Sequence, residues 1–372
     1  MIASGAIMIA VGLLFVLLAF WRLGKRKAAV KSAENGAPPP PDPGTAASAV
    51  ASTAHPTAAV TSLSLFYVAF MAWMFVAWYR AHKPLSRYRF GGDGWLGVTT
   101  YAGGADKFGH AWATMALARL GTWVLTDIGG YRRGRASLVS AGMSELLFTG
   151  VEVRDGTFYE FSFSDLTGDS VGMVLALLFD NFPRFRELFA FRVQYFPSLM
   201  YVRKMTGASP CPMSSCSSWN IAEDYSGQTY ITALHLAGIK AIRNKVGTVS
   251  RFVDLGMGFR SRNYRPTPDR DVAEPIRQDL YAALSFNAQG FFDWVFEQRT
   301  SRAARRAHKI THGLFEVFNL PYSSIKLFGG SREGPIRAVK EVPSSYPPPE
   351  LPSGSGSSAD ARSWFSRARS RA

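Results

Sequence analysis

The sequence predicts a membrane-anchored α+β protein, an apolar helical bundle followed by a small antiparallel β-meander. Three observations point there. A charge-free apolar stretch opens the chain, helical segments of near-spanning length continue to about residue 182, and the apolar period falls to two after about residue 225.

Residues 1–20 hold no Asp, Glu, Lys or Arg and consist mainly of Leu, Val, Ile, Ala and Phe. About twenty apolar residues suffice to cross a bilayer. A cleavable leader starts with basic residues and ends at a small-residue cleavage site. Here the basic run Arg22, Lys25, Arg26, Lys27 and Lys31 follows the apolar stretch instead. Residues 1–32 therefore read as an uncleaved transmembrane anchor with a basic flank in the cytoplasm.

Residues 33–61, rich in Ala, Pro, Ser and Thr, lack the apolar side chains of a core and read as a linker. Residues 62–80 form a second transmembrane candidate, trailed by Arg80, Lys83, Arg87 and Arg89. Five basic residues after the first span against four after the second place the linker inside and the chain from residue 85 outside the cytoplasm.

The main domain is expected over residues 85–325. Phe108–Thr126, Arg135–Val151 and Asp165–Phe182 read as helices, the last with Asp165 as its N-cap and a stop before Pro183. Arg119, Glu145 and Asp169 interrupt them, so spanning helices with a polar core and helices of a soluble domain both fit. Near-alternating segments at 229–236, 252–259 and 279–287 read as strands. Three or four strands cannot close a membrane barrel, so the sheet is expected to pack on the helices. A basic helix from Arg299 to Phe318 follows, and residues 326–372 read as a disordered basic tail.

The chain is 47% hydrophobic, enough for a sizeable core, and 42 Lys and Arg against 27 Asp and Glu give it a net charge of +15. That excess suggests membrane lipids as partners, in particular anionic lipid or lipopolysaccharide, with ordinary membrane-flanking charge as the plainer account. No nucleic-acid partner is expected, because no paired Cys/His finger or aromatic RNA-binding signature is present. An envelope protein docking on a strand edge is a further candidate. Cys211 and Cys216 lie in a Ser/Pro-rich loop with no second Cys or His pair for a zinc knuckle. A disulfide between them is expected in an oxidising compartment, and two free thiols in the cytosol.

Chemistry-bearing residues concentrate in the helical part. Asp106 and His110 are four apart and share a helical face, so the carboxylate can orient the imidazole as a general base or metal site requires. The plainer account has Asp106 capping the helix and His110 satisfying a buried group. Glu152 and Asp155 end the next helix, and Asp165 and Asp169 repeat the four-residue spacing. Carboxylates in apolar helices are expensive unless they meet partners or water. Asp106, His110 and at least one of Glu152, Asp155 and Asp165 are therefore expected to converge. Glu152 or Asp155 is expected nearer His110 than Asp165, because consecutive helix starts lie at opposite ends of an up-and-down bundle. One imidazole without thiolates suits zinc poorly; a hard divalent cation held through oxygens fits the donors better. No cofactor is specified, and no Walker loop, dinucleotide fingerprint or Gly-x-Ser-x-Gly elbow occurs. His308 and His312 read as a solvated pair on a basic helix, and His235 as a strand residue.

Asp106-Lys107-x-x-His110, Glu152-x-x-Asp155-Gly156 and Phe163-Ser164 followed by Asp169 resemble the YfiM-like family of uncharacterised, predicted periplasmic envelope lipoproteins. The lead-in Gly103-Gly-Ala-Asp-Lys, the segment Glu223–Gln228 and the strand Gly256–Phe259 extend the likeness to about residues 85–325. The helical part is more distantly similar to VanZ-like membrane proteins. The resemblance implies envelope residence and helices followed by strands, with no established reaction. Two departures stand out: no Cys lies near residue 1 for lipid attachment, and Ser164–Asp169 replaces a Ser-x-x-Asp-x-x-x-Asn pattern. The expected function is structural support of the envelope, with the polar cluster ordering the bundle. The alternative is an enzyme acting on a lipid-linked or glycan substrate with His110 as base.

Overall fold

The computed structural model describes residues 54–80, 83–91, 94–206, 221–264 and 275–334. The first anchor, the linker up to residue 53, the Cys211 and Cys216 pair and residues 335–372 lie outside the described residues.

Helix α1 runs Pro56–Met74 and widens into a π-helical turn over Phe75–Tyr79. It begins inside the stretch read as linker, because Pro56 suits the first helical turn, where no N–H is needed. Ala59, Leu63, Tyr67, Met74 and Tyr79 form its buried stripe. That stripe belongs to a core with Leu117, Val124, Leu125, Leu147, Phe148 and Val151, while Leu65, Phe66, Phe75 and Val76 point outward. Among the described residues it is the one helix long and apolar enough to cross a membrane.

Three helices complete the bundle: α2 (Ala105–Trp123, extended by a π turn to Ile128), α3 (Arg133–Phe158) and α4 (Phe163–Asn181). Between them, strands β1 (Phe90–Gly91) and β2 (Phe161–Ser162) pair in parallel. Asp165 is not the N-cap of α4; Ser162 is, its hydroxyl accepting from the Asp165 N–H at 3.2 Å. The His55 N–H donates to Ile128 O at 2.9 Å, whereas Tyr67 meets Ser144 and Tyr79 meets Asp155. Helix α1 is thus antiparallel to α2 and parallel to α3. The Ser170–Glu145 and Ser137–Asn181 contacts turn α4 back along α3, giving an up-down-up-down arrangement. Gly168 and Gly172 of α4 press on the backbone of Lys107 and Ala111, so α2 and α4 approach closely with no side chain between them.

After a short helix α5 (Pro183–Leu188) the chain enters a five-stranded antiparallel meander. Its strands are β3 (Phe189–Tyr195), β4 (Gln228–His235), β5 (Val253–Arg262), β6 (Arg277–Phe286) and β7 (Ser324–Glu333). The sequence reading located the middle three and missed both edges. β3 directly follows a helix, and β7 lies in the segment assigned to the disordered tail. The basic helix read over Arg299–Phe318 is α9 (Arg302–Val317); the helices α6 (Leu199–Met205) and α7 (Lys240–Val246) between earlier strands, and α8 (Ala288–Phe296) after β6, were not read.

Phe191, Val193, Tyr230 and Phe259 turn one face of the sheet toward the bundle, where Phe108 stacks on Phe259 with ring centroids 4.5 Å apart. Farther along the same face Leu255, Met257, Leu280 and Leu284 are exposed. The sheet also fixes the entrance to α2. Gly103 and Gly104 take left-handed φ of 57° and 76°, and the Gly103 carbonyl accepts from Ser261 Oγ at 3.1 Å and Gln278 Nε2 at 2.8 Å.

A Cβ on Gly103 would collide with the Tyr264 ring as well as strain the backbone, whereas one on Gly313 in α9 meets nothing within 4 Å. Gly103→Ala is expected to destabilise by about 1–3 kcal/mol. Gly313→Ala should be neutral or stabilising by up to roughly 1 kcal/mol. Paired denaturant melts check the contrast, and equal effects would refute this account of the turn.

Candidate functional site: a buried ionic cluster

The first turns of α2 and α4 and the last turns of α3 meet at one end of the bundle, the end to which α1 brings Tyr79. Lys107 sits at the centre of this junction. Its Nζ lies 2.6 Å from Asp106 Oδ2 and 2.5 Å from Asp165 Oδ1, with all three residues buried. His110 stands beside them, its Nδ1 3.1 Å from Asp169 Oδ1, which also accepts from Thr114 Oγ1 at 2.9 Å. The other imidazole nitrogen is 3.9 Å from Asp165 Oδ1 and 4.0 Å from Glu152 Oε1. Glu152 Oε2 accepts from the Ser162 N–H at 3.1 Å, binding the end of α3 to the start of α4. Asp155 lies at the rim and takes the Tyr79 hydroxyl at 2.6 Å.

The expected convergence occurs with different pairings. Asp106 does not orient His110; the ammonium of the next residue claims its carboxylate, and Asp169 orients the imidazole. Asp165 approaches His110 as closely as Glu152 does, and Asp155 is drawn off by Tyr79. The expectation that Asp165 would lie farther from His110 than Glu152 or Asp155 erred on geometry. Consecutive starts do alternate, but α4 is two helices after α2, so its start returns to the same end.

Burial disfavours the His110 cation, but Asp169 and Asp165, the hydrogen bond to Asp169, and Glu152 outweigh it and hold the imidazole well above its ordinary range. Burial likewise raises Glu152 to about 9 against the opposing pull of His110, and raises Asp155 to about 7 against its bond from Tyr79. For Asp165 burial is overcome by His110 and Lys107, and the carboxyl falls below its usual value. Glu152 is therefore a carboxylic acid at neutral pH. Asp106 Oδ1, Glu152 Oε1 and Asp169 Oδ2 are buried without a hydrogen-bond partner. His110, Glu152 and Asp169 offer one ligand atom each within 4.8 Å of one another, a donor set that could hold a cation.

Two further polar centres carried little weight in the sequence. His235 Nδ1 lies 2.7 Å from Asp254 Oδ1, Arg192 NH1 donates to Asp254 Oδ2 at 2.9 Å, and Asn287 Nδ2 donates to Asp254 Oδ1 at 3.0 Å. His308 and His312, read as solvated, both meet Asp293 of α8. The i,i+4 His spacing was legible, but Asp293 was not, because α8 was not recognised as a helix.

Residues 92–181 match a family model described as "Predicted periplasmic lipoprotein (DUF2279)". The similarity is to an uncharacterised periplasmic envelope family. It covers α2 to α4 and every member of the ionic cluster. It is narrower than the likeness read from the motifs: the five-stranded sheet and the Glu223–Gln228 segment lie outside it. No curated protein and no solved structure matches the chain.

Glu152 titrates near 4.5 unfolded and near 9 folded. Between those values the folded chain binds a proton that the unfolded chain has released, so stability falls as pH rises through the window. Glu152→Gln removes that burden. Its melting temperature relative to the parent should climb from pH 5 to pH 9 by at least ~1 kcal/mol equivalent, roughly 2–4 °C. A constant or falling difference would exclude a protonated Glu152.

Proposed function

We propose that this chain is a structural protein of the bacterial cell envelope, seated in the inner membrane through α1, whose ionic cluster orders the bundle and performs no reaction. The observation that carries the reading is the state of His110. An imidazole held as its cation beside Asp169 and Asp165 has no lone pair to accept a proton, so it is poorly placed as a general base. Around it Asp106, Lys107, Glu152, Asp165 and Asp169 are all buried. The cavity of about 330 Å³ beside α2 is lined by Phe, Leu, Val, Ala and one Thr, and by none of the cluster's carboxylates.

Anionic lipid is the partner that the charges favour. Lys309 Nζ reaches Asp127 Oδ2 at 2.8 Å, which brings the middle of α9 to the end of α2 where His55 meets Ile128. The exposed cations Arg132, Arg133 and Arg135 follow that end of α2, and Arg302, Arg305 and Arg306, also exposed, precede Lys309 on α9. Basic groups at the end of an apolar helix lie at headgroup level. By the positive-inside rule the Pro56 end faces the cytoplasm and the Tyr79 end, with the cluster, the periplasm. The motif resemblance to YfiM-like and, more distantly, VanZ-like proteins agrees with this reading and rests on the sequence alone.

Two experiments test it. Topology reporters fused at residues 45 and 220 should be active on the cytoplasmic and periplasmic sides respectively, and cytoplasmic activity at 220 would overturn the orientation. His110→Gln should cost about 1–3 kcal/mol of stability and lower abundance, while the protein that remains still complements the envelope phenotype of a deletion strain. Loss of complementation at parental abundance would instead make His110 a reacting group.

A further inference from the structure

Away from the ionic cluster, α8 and α9 form a hairpin joined by residues 297–301, with Phe292 stacked on Phe315 at a centroid distance of 5.0 Å. Three side chains converge across it. His308 Nε2 lies 2.8 Å from Asp293 Oδ1, and His312 Nδ1 lies 2.9 Å from the same oxygen and 3.0 Å from Oδ2. The ligand atoms of the three residues fall within 4.8 Å of one another. We infer that Asp293, His308 and His312 form a binding site for a first-row transition dication of the Zn²⁺ class.

The chemistry of the donors selects that class. Two imidazoles and one carboxylate suit Zn²⁺, Co²⁺ or Ni²⁺, whereas Mg²⁺ and Ca²⁺ want oxygen throughout. Histidines four apart on one helix present their rings to a common point, and the carboxylate comes from the facing helix, so the backbone sets the bite in advance. Side-chain exposures of 40% and 41% for the histidines and 25% for Asp293 leave room for water to complete the coordination.

A second observation is independent of the cluster itself. The distal nitrogen of His312, Nε2, stands 3.4 Å from Glu316 Oε1, and Glu316 Oε2 is held by Arg119 NH2 at 2.8 Å. A histidine that ligates through one nitrogen commonly gives its other N–H to a carboxylate, which fixes the tautomer and the ring plane. Glu316 is in position to do this, and Arg119 ties that support to α2. Gln289 Nε2 also lies beside the His312 ring, 3.3 Å from Nδ1. The cations nearby on α9, Arg302, Arg305, Arg306 and Lys309, oppose a dication, so moderate affinity is expected.

The test uses the untagged, full-length protein in detergent after chelator treatment. Titration with Co²⁺ should give a saturable ligand-field absorption band at one equivalent, displaced by Zn²⁺. Asp293→Asn and the double variant His308→Gln/His312→Gln should abolish the band. Glu316→Gln should weaken binding by roughly 10–100-fold as a positioning residue. His110→Gln should leave the band unchanged, which separates this site from the ionic cluster. Melting of each metal-free variant shows whether it is folded; if the double variant is not, the single His308→Gln and His312→Gln changes replace it. Absence of a saturable band, or an undiminished band in folded Asp293 and histidine variants, would overturn the assignment.

Discussion

An ammonium group with almost no access to water leaves three helices little freedom in how they meet. Lys107 cannot be buried on α2 unless carboxylates come to it, and those of Asp106 and Asp165 do so at 2.6 Å and 2.5 Å. An isolated buried charge costs several kcal/mol, so the pairing holds the start of α4 against the start of α2. The small residues of the interface serve the same contact, since Gly168 and Gly172 let the two backbones close until the charges touch. Once the pairing is made, His110, Asp169 and Glu152 have no other place to go. The raised Glu152 carboxyl follows from that burial.

The sheet meets the same demand differently. Arg192 and Asp254 are each about 1% exposed on the same face of β3 and β5, Arg192 level with Gly258 across β4 and four residues along from Asp254, with His235 and Asn287 completing the set. Here the sheet sets the opposite charges on one face and the length of the arginine side chain spans the offset between them, where the bundle uses helix ends. The two halves join through contacts that are themselves polar at the edges and aromatic in the middle. Ser261 and Gln278 grip the Gly103 carbonyl, Phe108 stacks on Phe259, and Arg119 reaches Glu316. The entrance to α2, and with it the position of Lys107, is set by residues more than 150 positions later in the chain.

Much of this was legible in the sequence, for reasons that also explain the failures. The three helices after residue 105 and the three middle strands show clear periodicity. The membership of the cluster could be read from the cost of charges in apolar helices. Its pairing could not. Spacing places Asp106 and His110 on one face, but a lysine side chain is long enough to reach back one residue, and local spacing does not rank such competitors. Asp169, one turn beyond Asp165, was visible as spacing and gained its role only when α4 lay against α2. The outer strands escaped because β3 follows a helix with no turn signal and β7 is Gly-rich and solvated, exposed at nearly every position. The Asp293 site escaped because a short aromatic helix resembles a strand when read by composition.

The attachment of α1 has a mechanical consequence. It is fastened at both ends, by His55 to Ile128 and by Tyr79 to Asp155, and along its length by Leu63, Tyr67 and Met74. A free helix of 24 residues, ~36 Å long, meets a thinner hydrocarbon layer by leaning over on its own. This one cannot lean without carrying α2 and α3. In a bilayer, a change in thickness would therefore load the two end fastenings, and the load at one of them would fall on Asp155, at the rim of the ionic cluster. The dimensions of such a layer would then be coupled to the geometry of the buried charges.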